Sequence, residues 1–149
     1  MYMALTIDKW NDYYVLFGEK IKNKIIEKSD FCNLFYSIEY GTLNNIILLI
    51  SFKNVLIENY FNKYKCTFDS NNNILIRQLL EVEGQILNKY NKLKQKNYKL
   101  RQQFRHNCFK FFSAKQYGKQ RKTQFDVYIK LSGIWENEQE CGLIYKFIT

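Results

Sequence analysis

From Gly84 to Phe125 the chain carries no acidic residue over 42 positions, and twelve cations fall in that stretch: Lys89, Lys92, Lys94, Lys96, Lys99, Arg101, Arg105, Lys110, Lys115, Lys119, Arg121 and Lys122. The whole chain has 23 Lys and Arg against 14 Asp and Glu, so the remainder holds 11 cations and 14 acids. All of the positive excess therefore sits in this stretch. Aromatic residues are interleaved with the cations (Tyr90, Tyr98, Phe104, Phe109, Phe111, Phe112 and Tyr117). That mixture suits a polyanion carrying flat bases: cations meet phosphates and release their counterions, and exposed rings stack on bases at about 1–3 kcal/mol each. The competing reading is a solvated, lysine-rich helix face.

Other chemistry is poorly supplied. The carboxylates Glu81 and Glu83 stand two apart on an expected helix and point to different faces, and Glu136, Glu138 and Glu140 fall in an expected hairpin loop. Both groups read as solvated rather than as acid–base pairs. His106 is the sole histidine, has Arg105 and Asn107 beside it, and reads as part of the basic surface. With Cys108 it offers two metal ligands at most, too few for a zinc site. The six glycines form no phosphate-cradling motif. A non-enzymatic protein without metal or cofactor is expected.

At 149 residues and 46% hydrophobic content the chain has the size and composition of one folded domain, 1–149, not of a disordered segment. Aromatic content of 17% exceeds what a core of this size needs, which places some rings on the surface. Proline is absent, and Asn, Lys, Ile, Tyr and Phe are abundant, as an A/T-rich genome would encode. Codon bias accounts for part of the lysine excess but not for the loss of acids from one window. Cys32, Cys66, Cys108 and Cys141 form no close pair, so reduced thiols and a cytoplasmic location are expected. The longest apolar run, Ile46–Phe52, is far short of the roughly 20 residues that span a bilayer, so no membrane association is expected.

The elements that must position these residues follow from periodicity. Near the start the pattern fits a short helix after Thr6 or a strand, with a strand at Tyr13–Phe17 preferred, and Glu19 to Asp30 reads as an exposed connection. Phe31 to Tyr40 alternates as a half-buried strand closed by Gly41 and Asn44-Asn45. Ile46–Phe52 reads as a buried strand, followed by Val55–Phe61 and Tyr64–Phe68, either as one bent strand or two. Asn71, Asn72 and Asn73 are candidate caps for a helix whose stripe runs from Leu75 to Leu93, extending toward Leu100 or Phe104. Cys108–Phe112 reads as a strand, Ser113–Lys122 as an exposed basic loop, and Phe125–Leu131 and Leu143–Ile148 as a C-terminal hairpin. Trp135 stands at the strand-to-loop junction, either paired in the core with Leu143 or Tyr145 or exposed as a stacking platform. The fold class is mainly β with one principal helix (α+β). The element order matches an OB-fold-like five-stranded barrel with a helix between strands 3 and 4.

The segment Ile129-Lys130-Leu131-Ser132-Gly133-Ile134-Trp135-Glu136, followed by Gly142-Leu143-Ile144-Tyr145-Lys146-Phe147, resembles the closing hairpin of single-stranded DNA-binding proteins of large cytoplasmic DNA viruses and related linear plasmids. The resemblance covers about 20 residues well and the rest in outline. It implies an OB-like domain and sequence-independent binding of single-stranded DNA during replication of an A/T-rich cytoplasmic genome. Prolines expected after the Ile46–Phe52 strand and an acidic C-terminal tail are absent. The expected partners are single-stranded DNA, with RNA open, further copies of the chain, and replication proteins. The candidate contacts are Tyr98, Lys99, Arg101, Arg105, Lys110, Phe112, Lys115, Tyr117, Lys119, Arg121 and Lys122, with Tyr128, Lys130 and Trp135 from the hairpin. A structural or assembly protein that binds duplex DNA or RNA in a virion or ribonucleoprotein is the alternative.

Overall fold

The computed structural model describes residues 3–22 and 29–149. In chain order its strands are β1 (Ala4–Thr6), β2 (Val15–Phe17), β3 (Ile21–Lys22), β4 (Asp30–Ile38), β5 (Gly41–Asn44), β6 (Ile46–Tyr60), β7 (Lys63–Thr67), β8 (Gln95–Asn97), β9 (Cys108–Phe111), β10 (Gln120–Glu136) and β11 (Glu140–Ile148). Helix α1 (Asn73–Tyr90) follows β7, and the six-residue α2 (Lys99–Phe104) follows β8. The α+β class, mostly strand with one main helix, is as expected, but the sheet is open and has eleven strands rather than five. Helix α1 lies between the seventh and eighth strands, β7 and β8, not between the third and fourth. The connection expected over Glu19–Asp30 lies partly outside the described residues; Ile21–Lys22 within it pairs with β4.

Strand β10 is the spine. Along one edge its residues 120–131 pair antiparallel with β6, and its residues 133–136 pair with β4. The partner edge thus descends from Ile57 to Ile46 and resumes at Asn33, with 34–45 looped out as a β4–β5 hairpin that also receives β2. On its other edge β10 pairs with β11. The partner change coincides with a bulge between Leu131 and Gly133 on the β11 side, which bends the strand. Gly133 is required there, because a Cβ would run into the Cys32 carbonyl and the Phe31 ring. The basic loop expected over Ser113–Lys122 is shorter than its pattern indicated, since Gln120, Arg121 and Lys122 already pair with β6.

Strand β6 joins Ile46–Phe52 and Val55–Tyr60 into one element. Its buried positions are even-numbered up to Phe52 and odd-numbered from Val55, and the switch occurs at Asn54, whose φ is +53°. Asparagine tolerates that left-handed conformation better than most residues. Strand β7 pairs with β6, and β9 pairs with β7, giving the path β9-β7-β6-β10-β11. Because each step is antiparallel, β9 and β11 run in the same direction as the two edges of the path.

The core lies inside this curved sheet and under the helices. Phe109 stacks on Phe147 at 4.5 Å, with Phe52, Phe68, Phe104 and Phe111 around it. Helix α1 contributes Leu79, Val82, Ile86 and Leu87, all buried, along one stripe. Burying each such side chain stabilises by about 1.5–3 kcal/mol. Asn72, buried ahead of the helix, donates to the Lys53 carbonyl (2.9 Å) and accepts from its N–H (2.8 Å), which ties α1 to β6. The helix stops at Tyr90, because the Asn91 side chain accepts from the N–H groups of Leu93 and Lys94 and turns the chain.

Candidate nucleic-acid interface

The edge of β9 away from β7 and the part of β11 that follows Gly142, where its parallel pairing with β8 ends, flank a cleft of about 910 Å³. Residues that the alternation turns inward, Phe109, Phe111, Leu143, Tyr145 and Phe147, form its base. Around them stand Lys63, Lys99, Lys110 and Lys146, with His106, Phe112 and Trp135, and among the described residues no Asp or Glu lines the cleft. Cations held over low-dielectric walls focus a positive potential along such a groove.

Local structure places each of these groups. In β7 the inward Tyr64 and Cys66 alternate with Lys63 and Lys65, and in β9 the inward Phe109 and Phe111 alternate with Cys108 and Lys110. The Lys110 Nζ lies 4.1 Å from the centre of the Tyr60 ring, and the Lys63 Nζ lies 4.9 Å from that of Phe112. Across β7 and β9, Lys65 is directly opposite Lys110. Across β10 and β11, Lys130 is directly opposite Lys146. Like charges at such positions destabilise a sheet by about 0.2–1 kcal/mol. Of these four lysines, Lys110 and Lys146 line the cleft.

Trp135 pairs across the hairpin with Gly142, not with Leu143 or Tyr145. Its indole lies against that glycine, where a Cβ would come within 2.5 Å of Nε1. Nε1 is buried with no hydrogen-bond partner. The Lys99 Nζ lies 5.3 Å from the ring centre. Lys99 is the first residue of α2, and α2 is anchored by Glu83 of α1, whose carboxylate accepts the N–H groups of Leu100 (2.9 Å) and Arg101 (3.2 Å).

Glu83 and Glu136 are corrections to the solvated reading of these acids. Glu83 is 0% exposed. Burial raises its pKa against the lowering by those two N–H bonds and by Arg101. Glu136 is also buried and accepts from Lys20 (2.6 Å), Lys94 (2.8 Å) and the Tyr90 hydroxyl (2.7 Å). Burial alone would raise its pKa, but those bonds outweigh it and hold the carboxyl down at about 2. The node fixes the end of β10 beside Trp135, and neither acid faces the cleft. All four cysteines are free thiols; Cys32, Cys66 and Cys141 are buried, while Cys108 is half-exposed and lines the cleft.

Of the residues singled out in the sequence, Lys99, Lys110, Phe112 and Trp135 come together in the cleft. Lys130 and the exposed Tyr128 lie on β10 on the face opposite its buried positions. Tyr98, just ahead of α2, and Arg101 within it stack on each other at 4.5 Å, and Arg105, Lys115, Lys119 and Arg121 are exposed outside the cleft. Tyr117 is not a free platform: its ring packs on Tyr64, Phe111 and Phe125, with Lys122 5.7 Å away. Sequence reasoning missed Lys63 and Lys146, which lie outside the acid-free stretch, and Tyr60, which lies under Lys110. The signal for them was strand alternation carrying the lysines to the outer face. Compared with protein-family models, curated proteins and solved structures, the chain matches none.

Proposed function

We propose that the chain binds single-stranded DNA, largely without regard to sequence, along the cleft between β9 and β11. The observation that carries this is the cleft's lining: four lysines, rings beneath three of them and, among the described residues, no acid. Phosphates meet the lysines, while bases meet Phe112, Tyr60 and Trp135. Stacking on ring faces tolerates every base, which is why sequence matters little. Strand order supports an OB-like reading of the sheet. With β6, β7, β9, β10 and β11 counted as one to five, the second and third strands form a face carrying Lys63, Lys65, Lys110 and Phe112. In OB-folds the face of strands two and three binds oligonucleotides, and the barrel is partly open. The resemblance of the C-terminal hairpin supports a role in coating single strands during replication.

The test is fluorescence anisotropy with a labelled dT oligonucleotide, the matching duplex and an RNA of equal length, read beside a size-exclusion profile. Tighter binding of the single strand, weakening with salt, is expected. No binding, or equal binding to duplex accompanied by tight self-assembly, refutes the reading and favours an assembly protein.

A further inference from the structure

We infer that Phe61, at the tip of the β6–β7 hairpin, is a wedge that enters between bases and unstacks the bound strand. This rests on the single-strand reading above and adds an action on the strand. Tyr60 and Lys63 are directly paired, so Phe61 and Asn62 form a two-residue turn. Phe61 has a φ of +55°. Such a turn position suits glycine or asparagine, and a bulky residue there is an outlier. The ring gives the fold little in return. It is 91% exposed, and among the described residues its one aromatic neighbour is Tyr60, in a T-shaped contact at 4.9 Å and 87°.

Exposure separates a wedge from a platform. The faces of Tyr60 and Phe112 are shared with Lys110 and Lys63, so each offers one side to a base. Among the described residues Phe61 shares its ring with no cation, and it is 91% exposed, the condition for insertion between two bases. Its setting supplies the rest: Lys63 and Lys110 line the cleft beside the turn, and they hold the phosphates on either side of the opened step. A strained backbone that projects an exposed ring at the rim of a basic cleft is where strain serves function rather than packing.

The experiment compares the wild-type protein with Phe61→Gly, and with Phe61→Asn as a second ringless variant suited to positive φ. The probe is a single-stranded oligonucleotide carrying 2-aminopurine, whose fluorescence rises when it is unstacked. Wild type is expected to raise the signal on binding. Both variants lose that rise and bind about tenfold more weakly, while their melting temperatures stay equal to wild type or higher because the turn is relaxed. A persisting rise, or unchanged affinity in a folded variant, overturns the wedge. A lower melting temperature with unchanged binding assigns Phe61 to the fold and overturns it too. A wild-type protein that binds no oligonucleotide overturns the single-strand reading along with it.

Discussion

The salt dependence of binding follows from the number of lysines in the cleft. Among the described residues four line it, Lys63, Lys99, Lys110 and Lys146. If each neutralises one phosphate of a single strand, log K falls against log salt with a slope of about −2.8. Between about 50 and about 200 mM salt the affinity then drops roughly 50-fold. Replacing Lys63 and Lys110 together by Gln removes two of the four cations from one wall. The slope is then expected to halve to about −1.4, and the affinity to change only about sevenfold over the same range. Replacing Lys115 and Lys119 by Gln removes the same charge from exposed positions outside the cleft and leaves the slope close to wild type. Anisotropy titrations of a dT oligonucleotide at four or more salt concentrations read both quantities. An unchanged slope in the Lys63/Lys110 variant, or an equal change in the Lys115/Lys119 variant, refutes the placement of phosphate in the cleft.

The Glu136 node has a pH signature. Its carboxyl is held at about 2 against an ordinary 4.5, so the stability it contributes is present above about pH 4.5 and is lost as the pH falls toward 2. The shift corresponds to roughly 3 kcal/mol, and because Lys20 is 59% exposed the discounted figure is about 1–3 kcal/mol. Glu136→Gln is therefore expected to melt lower than wild type at pH 7 and to converge with it near pH 2 in denaturation followed by circular dichroism; parallel curves at all pH values contradict the node. Cys108 is the half-exposed thiol, whereas Cys66 is buried with its pKa pushed up to about 12. One equivalent of iodoacetamide is expected to react with the native protein, at Cys108, and bound dT oligonucleotide should slow that reaction; equal rates with and without DNA place the strand elsewhere. Gly142→Ala sets a methyl within 2.5 Å of the Trp135 indole. It should lower stability by about 1–3 kcal/mol, change the near-ultraviolet tryptophan signal and weaken oligonucleotide binding; an unaltered tryptophan signal rejects the packing described.

What was legible in the sequence was periodic. Phe31 to Tyr40 and Phe125 to Leu131 alternate with a period of two, and both fall on strands with that burial pattern, except that β4 ends at Ile38 and leaves Tyr40 exposed in the turn. The stripe from Leu75 to Leu93 announced α1 but ran past its end at Tyr90: the Asn91 side chain turns the chain there, and Leu93 is exposed. Illegible were the meetings of distant residues. The cleft exists because β9 and β11, separated by the whole of β10, become the two edges of one path. Charge clustering pointed to 98–122, but the sheet disperses that stretch and recruits Lys63 and Lys146 from elsewhere. Glu83 and Glu136 looked solvated because their partners lie 17 or more residues away. Tyr117 looked free because nothing local to it showed that Tyr64, Phe111 and Phe125 would enclose it.

The spine role of β10 has a consequence for biosynthesis. Strand β6 holds the most apolar run of the chain, yet the edge that covers it begins at Gln120, about 60 residues after β6 ends at Tyr60. At ordinary rates of about 5–20 residues per second a ribosome needs about 3–12 s to add that interval. Until then the β6–β7 hairpin can form, but the other edge of β6 is open, and apolar open edges pair with one another between chains. Nascent chains on neighbouring ribosomes are thus the place where this protein is most prone to aggregate. Slower initiation, lower temperature or a chaperone that shields Ile46–Phe52 should raise the soluble yield more than any change to the finished surface.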